Sequence, residues 1–231
     1  MPLAISPGRT YPHVVQLLAD LKIEHDLIEK VLSSFRTFVN LRVHGEGNPA
    51  DAAGFLAFFR GYASGFHHER EEDVLFPALI AQGELPKDTG PIPALIAQHH
   101  SIAATLAELA PLLSAESHSA EERGRLLDLA IRYSRALWAH IDAENSVLLP
   151  EAENRLRRVN VLELQCRAAT SEETAARDAG TRLVSLYPPT DDPEAVRGEG
   201  CVVCPSFGVD CDGVEREWWN EYEWEEFPDH L

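Results

Sequence analysis

Residues 67–77 read HHEREEDVLFP, and residues 140–150 read HIDAENSVLLP. Each stretch opens on a histidine, sets a glutamate four residues on (Glu71, Glu144) and reaches a proline ten residues on (Pro77, Pro150). Upstream of each lies another histidine, His25 in IEHDLI (23–28) and His99 in AQHHSI (97–102), at intervals of 42 and 41 residues. The chain thus repeats itself once, and the two halves superimpose on their histidines as well as on their apolar residues.

The apolar residues around these motifs step by three and four. Leu18, Leu21, His25, Ile28, Leu32 and Phe35 form one stripe, which predicts a helix from about Pro12 to Arg42. A second helix is expected from the cap and early proline of NPAD (48–51) to about Gly83. Ile92, Leu95, His99, Ile102, Leu106, Leu109 and Leu113 mark a third. After SAESHSAEE (114–122), Leu126, Leu129, Tyr133, Leu137, His140, Glu144 and Val147 mark a fourth. Long amphipathic helices with short connections predict an all-α fold, an antiparallel up-down-up-down four-helix bundle with a pseudo-twofold internal repeat. Two later segments, ENRLRRVNVLELQCRAA (153–169) and SEETAARDAGTRLVSLY (171–187), are expected to be helical and to pack outside it. The domain reading is a bundle with flanking helices over 10–186, then an acidic tail over 187–231.

Composition narrows the partners. The 231 residues carry 38 acidic and 20 basic side chains, a net charge of −18 with neutral histidines. Such a surface repels phosphate backbones and anionic membranes, so neither nucleic acid nor a membrane is expected as a partner. No basic segment with an apolar core opens the chain, no apolar run is long enough for a membrane span, and the four cysteines are too few for a disulfide scaffold. The expected location is cytoplasmic.

His67–Glu71 and His140–Glu144 are each four residues apart, which puts imidazole and carboxylate on one helix face. His25 and His99 interrupt otherwise apolar stripes. Four imidazoles and two carboxylates buried together are costly without a partner, and a cation offsets that cost. Six bulky ligands suit a pair of ions bridged by the two glutamates better than one ion. Mixed nitrogen and carboxylate donors with a position left open suit iron, with manganese as a substitute, and an oxo or hydroxo bridge would complete the pair. A structural zinc site would instead be closed by four donors, often cysteines, and none lies on these stripes.

EHD (24–26), HHEREEDVLFP (67–77), QHH (98–100) and HIDAENSVLLP (140–150) resemble the hemerythrin-like, HHE cation-binding family across about residues 10–155. The resemblance implies a four-helix bundle around a non-haem di-iron centre, with His25, His67, Glu71, His99, His140 and Glu144 in ligand positions. It implies a protein that binds or senses oxygen, nitric oxide, peroxide or iron. The alternative is a di-iron enzyme that reduces oxygen, peroxide or nitric oxide, or donates iron for iron–sulfur repair. Oxygen-carrying hemerythrins place a further histidine where this chain has Ala103, and use a five-residue step to an aspartate where this chain steps four residues to Glu144. The likeness is closer to bacterial HHE and iron–sulfur repair-type proteins.

His68 is an additional ligand candidate, since some members of that family place a donor immediately after the first histidine of this motif. His100 is expected outside the centre, and Glu69, Glu72 and Asp73 on a solvated face. Glu24, Asp26 and Tyr133 are candidates for orienting ligands, with ordinary helix roles as the alternative. In the tail, residues 190–231 hold 13 acidic and 2 basic side chains, with Trp218, Trp219 and Trp224. That segment is a candidate surface for docking on its own bundle, for a second copy or for a protein partner. Its Cys201, Cys204 and Cys211 are weak metal candidates, with Cys166 or His230 as a fourth donor; a disulfide or plain thiols are the alternatives.

Overall fold

A computed structural model describes residues 16–190. The expectations for residues 1–15 and for 191–231, including Cys201, Cys204, Cys211, His230 and the three tail tryptophans, lie outside the described residues.

Five helices account for the fold. Helix α1 spans Gln16–Val43; α2 is continuous over residues 49–81; α3 spans Pro91–Leu113; α4 runs unbroken over residues 120–158; α5 spans Ser171–Leu186. Helix α1 packs on α2 and α4, and α3 packs on the same two, which closes a ring of four. The described residues form no strand, and none of their helices is long and apolar enough to cross a membrane. Side-chain caps start three of the helices. Pro49 sits in the first turn of α2 behind Asn48, whose side chain accepts from the Ala50 N–H. Ser119 and Glu122 form a reciprocal capping box on α4, as Thr170 and Glu173 do on α5.

Two features depart from the sequence reading. The stretch ENRLRR does not form a separate element but extends α4 to Arg158. The following residues 161–170 have no regular structure before α5 begins. In addition, parts of α2 and α4 are wound as wider π-helix, over Phe58–His68, Glu71–Leu75 and Glu144–Leu148. The last two stretches each end two residues before Pro77 or Pro150. A proline lacks the N–H for the carbonyl four residues back and its ring crowds that carbonyl, so a widened turn just upstream relieves both problems.

The interior consists of two apolar clusters. One is rich in aromatics, with Phe35, Phe38, Phe55, Phe58, Phe59 and Tyr133 fully buried. The other is mainly aliphatic, built from Leu17, Leu18, Leu21, Leu75, Leu79, Leu95 and Leu148 with Phe76. Each bundle helix contributes residues to both, with polar side chains at the level between them: His25 lies between Leu21 and Ile28, and His99 between Leu95 and Ile102. Helix α5 closes over α1 and α2. Gly180 makes that approach available, because a Cβ there would lie 2.2 Å from Cδ2 of Phe58.

Candidate metal centre

The polar layer gathers His25 from α1, His67, His68 and Glu71 from α2, His99 from α3, and His140 and Glu144 from α4, all buried. In an α-helix adjacent residues diverge by about 100°, which would turn His68 away from the face that holds His67. The π winding that ends at His68 enlarges the turn and brings both rings inward. His68 stacks on His99 with ring centroids 3.8 Å apart and planes 6° apart.

The two glutamates stand between the imidazoles. Glu71 Oε1 lies 3.6 Å from His67 Nε2 and 4.0 Å from His25 Nε2, and its Oε2 lies 3.5 Å from His99 Nε2. Glu144 Oε2 lies 3.2 Å from His25 Nε2 and 3.4 Å from His140 Nε2. Two overlapping donor groups result, His25–His67–Glu71–Glu144 and His68–Glu71–His99–His140, each with its ligand atoms within 4.8 Å of one another. Nε2 of His25, His67 and His68 and all four carboxylate oxygens of Glu71 and Glu144 are buried without a hydrogen-bond partner. Buried orphans are rare and costly, and here they converge on one place.

The outer edges of four rings, by contrast, are all satisfied. Nδ1 of His25 meets Asn145 Oδ1 at 2.8 Å, and Nδ1 of His67 meets Glu24 Oε2 at 2.9 Å. Nδ1 of His99 meets Glu72 Oε1 at 2.6 Å, and Nδ1 of His140 meets Gln98 Oε1 at 2.9 Å. Each partner is an oxygen acceptor, so each imidazole donates from Nδ1 and turns Nε2 inward, the tautomer a cation requires; the Nε2 atoms of His99 and His140 face one another at 2.9 Å.

Electrostatics agree with that reading. Burial, reinforced by neighbouring imidazoles, pushes His67, His68 and His140 well below the usual histidine range. Burial also lowers His99, against the opposing pull of Glu72. Burial holds the Glu71 and Glu144 carboxyls well above the usual range, and for Glu71 the nearby Glu144 adds to it. Neutral imidazoles and reluctant carboxylates are what a cation-binding cage looks like while its negative charge lacks a counter-ion.

A model of the hemerythrin HHE cation-binding domain matches residues 16–152, more than half of the chain. The chain belongs to the hemerythrin HHE cation-binding family. Comparison with curated proteins and comparison with solved structures each gave no match. All seven inward residues lie within the HHE match, whereas α5 and the segment leading to it lie beyond.

The HHE core thus brings together His25, His67, Glu71, His99, His140 and Glu144, and adds His68. His100 and Asp26 are exposed, and Tyr133 packs against Phe35 and Phe59 in the aromatic cluster. Glu24 does orient a ring. Glu72 corrects the sequence reading, since it reaches across to His99 rather than facing only solvent. Gln98 and Asn145 were not singled out. The repeat contained the signal for all four: Glu24 aligns with Gln98 and Glu72 with Asn145, so each half places an acceptor beside each of its ligand histidines and glutamates.

Proposed function

We propose that this HHE protein holds two iron ions at the centre, with manganese as a substitute, and binds or senses a small ligand such as oxygen, nitric oxide or peroxide. His25, His67, Glu71 and Glu144 would hold one ion, and His68, His99, His140 and Glu71 the other. The observation that carries this reading is the convergence of unpartnered Nε2 and carboxylate atoms on one buried place, ringed by histidines already locked into the ligating tautomer. Nitrogen and carboxylate donors without sulfur favour iron or manganese over a closed zinc site. The ions supply the redox chemistry and open coordination. The chain supplies five imidazoles, two carboxylates and two apolar clusters that keep bulk water away.

Metal analysis of protein purified without chelators tests the centre. About two irons per chain is the expected result for a paired site in a bundle core, and a folded chain without metal overturns it. Exposure of the reduced protein to oxygen, nitric oxide and peroxide then separates a reversible binder from a turnover enzyme. Reversible spectral change is expected; sustained consumption would replace this reading with the enzymatic one.

A further inference from the structure

Beyond the ligand positions, the aligned halves differ at a buried ion pair that only the first half carries. Glu24 and Arg70 in the first half correspond to Gln98 and Ala143 in the second. Glu24 accepts from His67 Nδ1 through Oε2 and from Arg70 through Oε1. Arg70 also reaches Asp20 Oδ2 at 3.2 Å. Both members of the pair are buried, Glu24 6% and Arg70 8% exposed. The Arg70 guanidinium lies over the Phe66 ring at 5.1 Å, and Arg167, from the segment beyond the HHE match, lies over the same ring at 5.7 Å. Arg167 further donates to the Gly65 carbonyl and to Glu69, so the α2 turn bearing His67 is held from outside the family domain. A cavity of about 240 Å³ opens beside the pair, with Asp20, Glu24, Tyr62, Phe66, Arg70 and Thr174 among its walls. Glu24 therefore touches His67 on one side and this cavity on the other.

In the second half the equivalent imidazole, His140, is backed by the neutral Gln98. A carboxylate behind an imidazole raises its basicity as a ligand more than an amide does, and a buried carboxylate needs a countercharge. Gln98 needs none, and Ala143 supplies none. We propose that Glu24 and Arg70 are positioning residues of the centre: Glu24 fixes the His67 ring with its Nε2 turned inward and strengthens that Nε2 as a donor, and Arg70 holds Glu24 in place. This rests on the metal-centre reading above.

The test uses the full-length metal-free chain titrated with Co²⁺, followed by its visible d–d bands and by thermal unfolding without metal. Three variants are compared with wild type: Glu24→Gln, Arg70→Ala and the double variant, which copies the Gln98/Ala143 arrangement of the second half. Glu24→Gln is expected to weaken one of the two Co²⁺ equivalents about tenfold and to shift its bands, with the other equivalent within about twofold. The double variant should match Glu24→Gln in Co²⁺ binding. Arg70→Ala alone, which leaves a buried carboxylate unpaired, should lower the unfolding temperature of the metal-free chain, and the added Glu24→Gln should restore it. If wild type takes up two Co²⁺ and Glu24→Gln leaves both affinity and bands unchanged, the pair has only a structural role and the proposal is overturned. A wild-type chain that takes up no Co²⁺ overturns the metal-centre reading itself.

Discussion

The two halves of the bundle place their ligand candidates alike and support them differently. In the first half α2 is π-wound over Phe58–His68 and Glu71–Leu75 and turns two successive histidines inward; in the second, α4 widens only at Glu144–Leu148. The residue aligned with His68 is Ile141, which joins the aromatic cluster. The first half supplies the carboxylate acceptors Glu24 and Glu72 and the second the amide acceptors Gln98 and Asn145; because Glu72 and Asn145 cross over to His99 and His25, each half's histidines rest on one carboxylate and one amide. Helix α5 covers only the first half's helices among the bundle's principal packing partners. A duplicated frame can thus keep its ligand spacing while charge, winding and cover diverge around it.

The sharpest way to break this comparison is at Glu71, which belongs to both donor groups, against Glu144, which belongs to one. Glu71→Ala should abolish binding of both metals by elemental analysis, while Glu144→Ala should leave a residual ion. Equal losses would show that the glutamates are interchangeable and the halves more symmetric than drawn.

Next in size is the pH dependence. Glu71 and Glu144 are held above the ordinary carboxyl value of 4.5, so in the metal-free fold they keep protons that the unfolded chain has lost. Their contribution to metal-free stability is therefore full below 4.5 and declines as pH rises toward their folded values. A bound cation must displace those protons, so Co²⁺ affinity should rise with pH, by about tenfold or more per unit while a proton is released. His67, His68, His99 and His140, shifted downward by burial, are already neutral in that range. A flat affinity between pH 6 and 8 would show that the carboxyls are ionised before metal arrives.

His68→Leu installs in the first half the kind of side chain that Ile141 provides in the second. It should weaken the ion of the three-histidine group by about 10–100-fold, a loss of the size seen when a metal site loses one of its supporting contacts, with the other ion retained. Unchanged binding of both would make His68 a stacking partner of His99 and nothing more. The smallest effect concerns the cover over the first half. Gly180→Ala pushes a methyl group into Phe58 and should cost about 1–3 kcal/mol in thermal or denaturant unfolding, with the metal content of the folded protein intact.

The helices and the six principal candidates were legible because both rest on local spacing: apolar steps of three and four, and a histidine–glutamate step repeated at the same distance from a proline. His68 was only half legible, because its direction depends on the π winding of Phe58–His68, which apolar steps of three and four do not announce. Glu72 was misread for a related reason. Its helix faces solvent at that point, and only the register of α2 against α3 brings His99 to it. Gln98 and Asn145 look like ordinary surface amides until the halves are aligned and the rings they support are in place.

The polar layer between the aromatic and aliphatic clusters also acts as an alignment mark for the helices. A slip of one turn, about 5.4 Å along any axis, would drive an imidazole or a carboxylate into the phenylalanines on one side or the leucines on the other, and would leave an apolar side chain among the remaining donors. Apolar packing alone tolerates such slips more readily, since one leucine layer resembles the next. The centre therefore specifies how the four rods are threaded past one another, a role that belongs to assembly of the fold and precedes any ligand the finished protein meets.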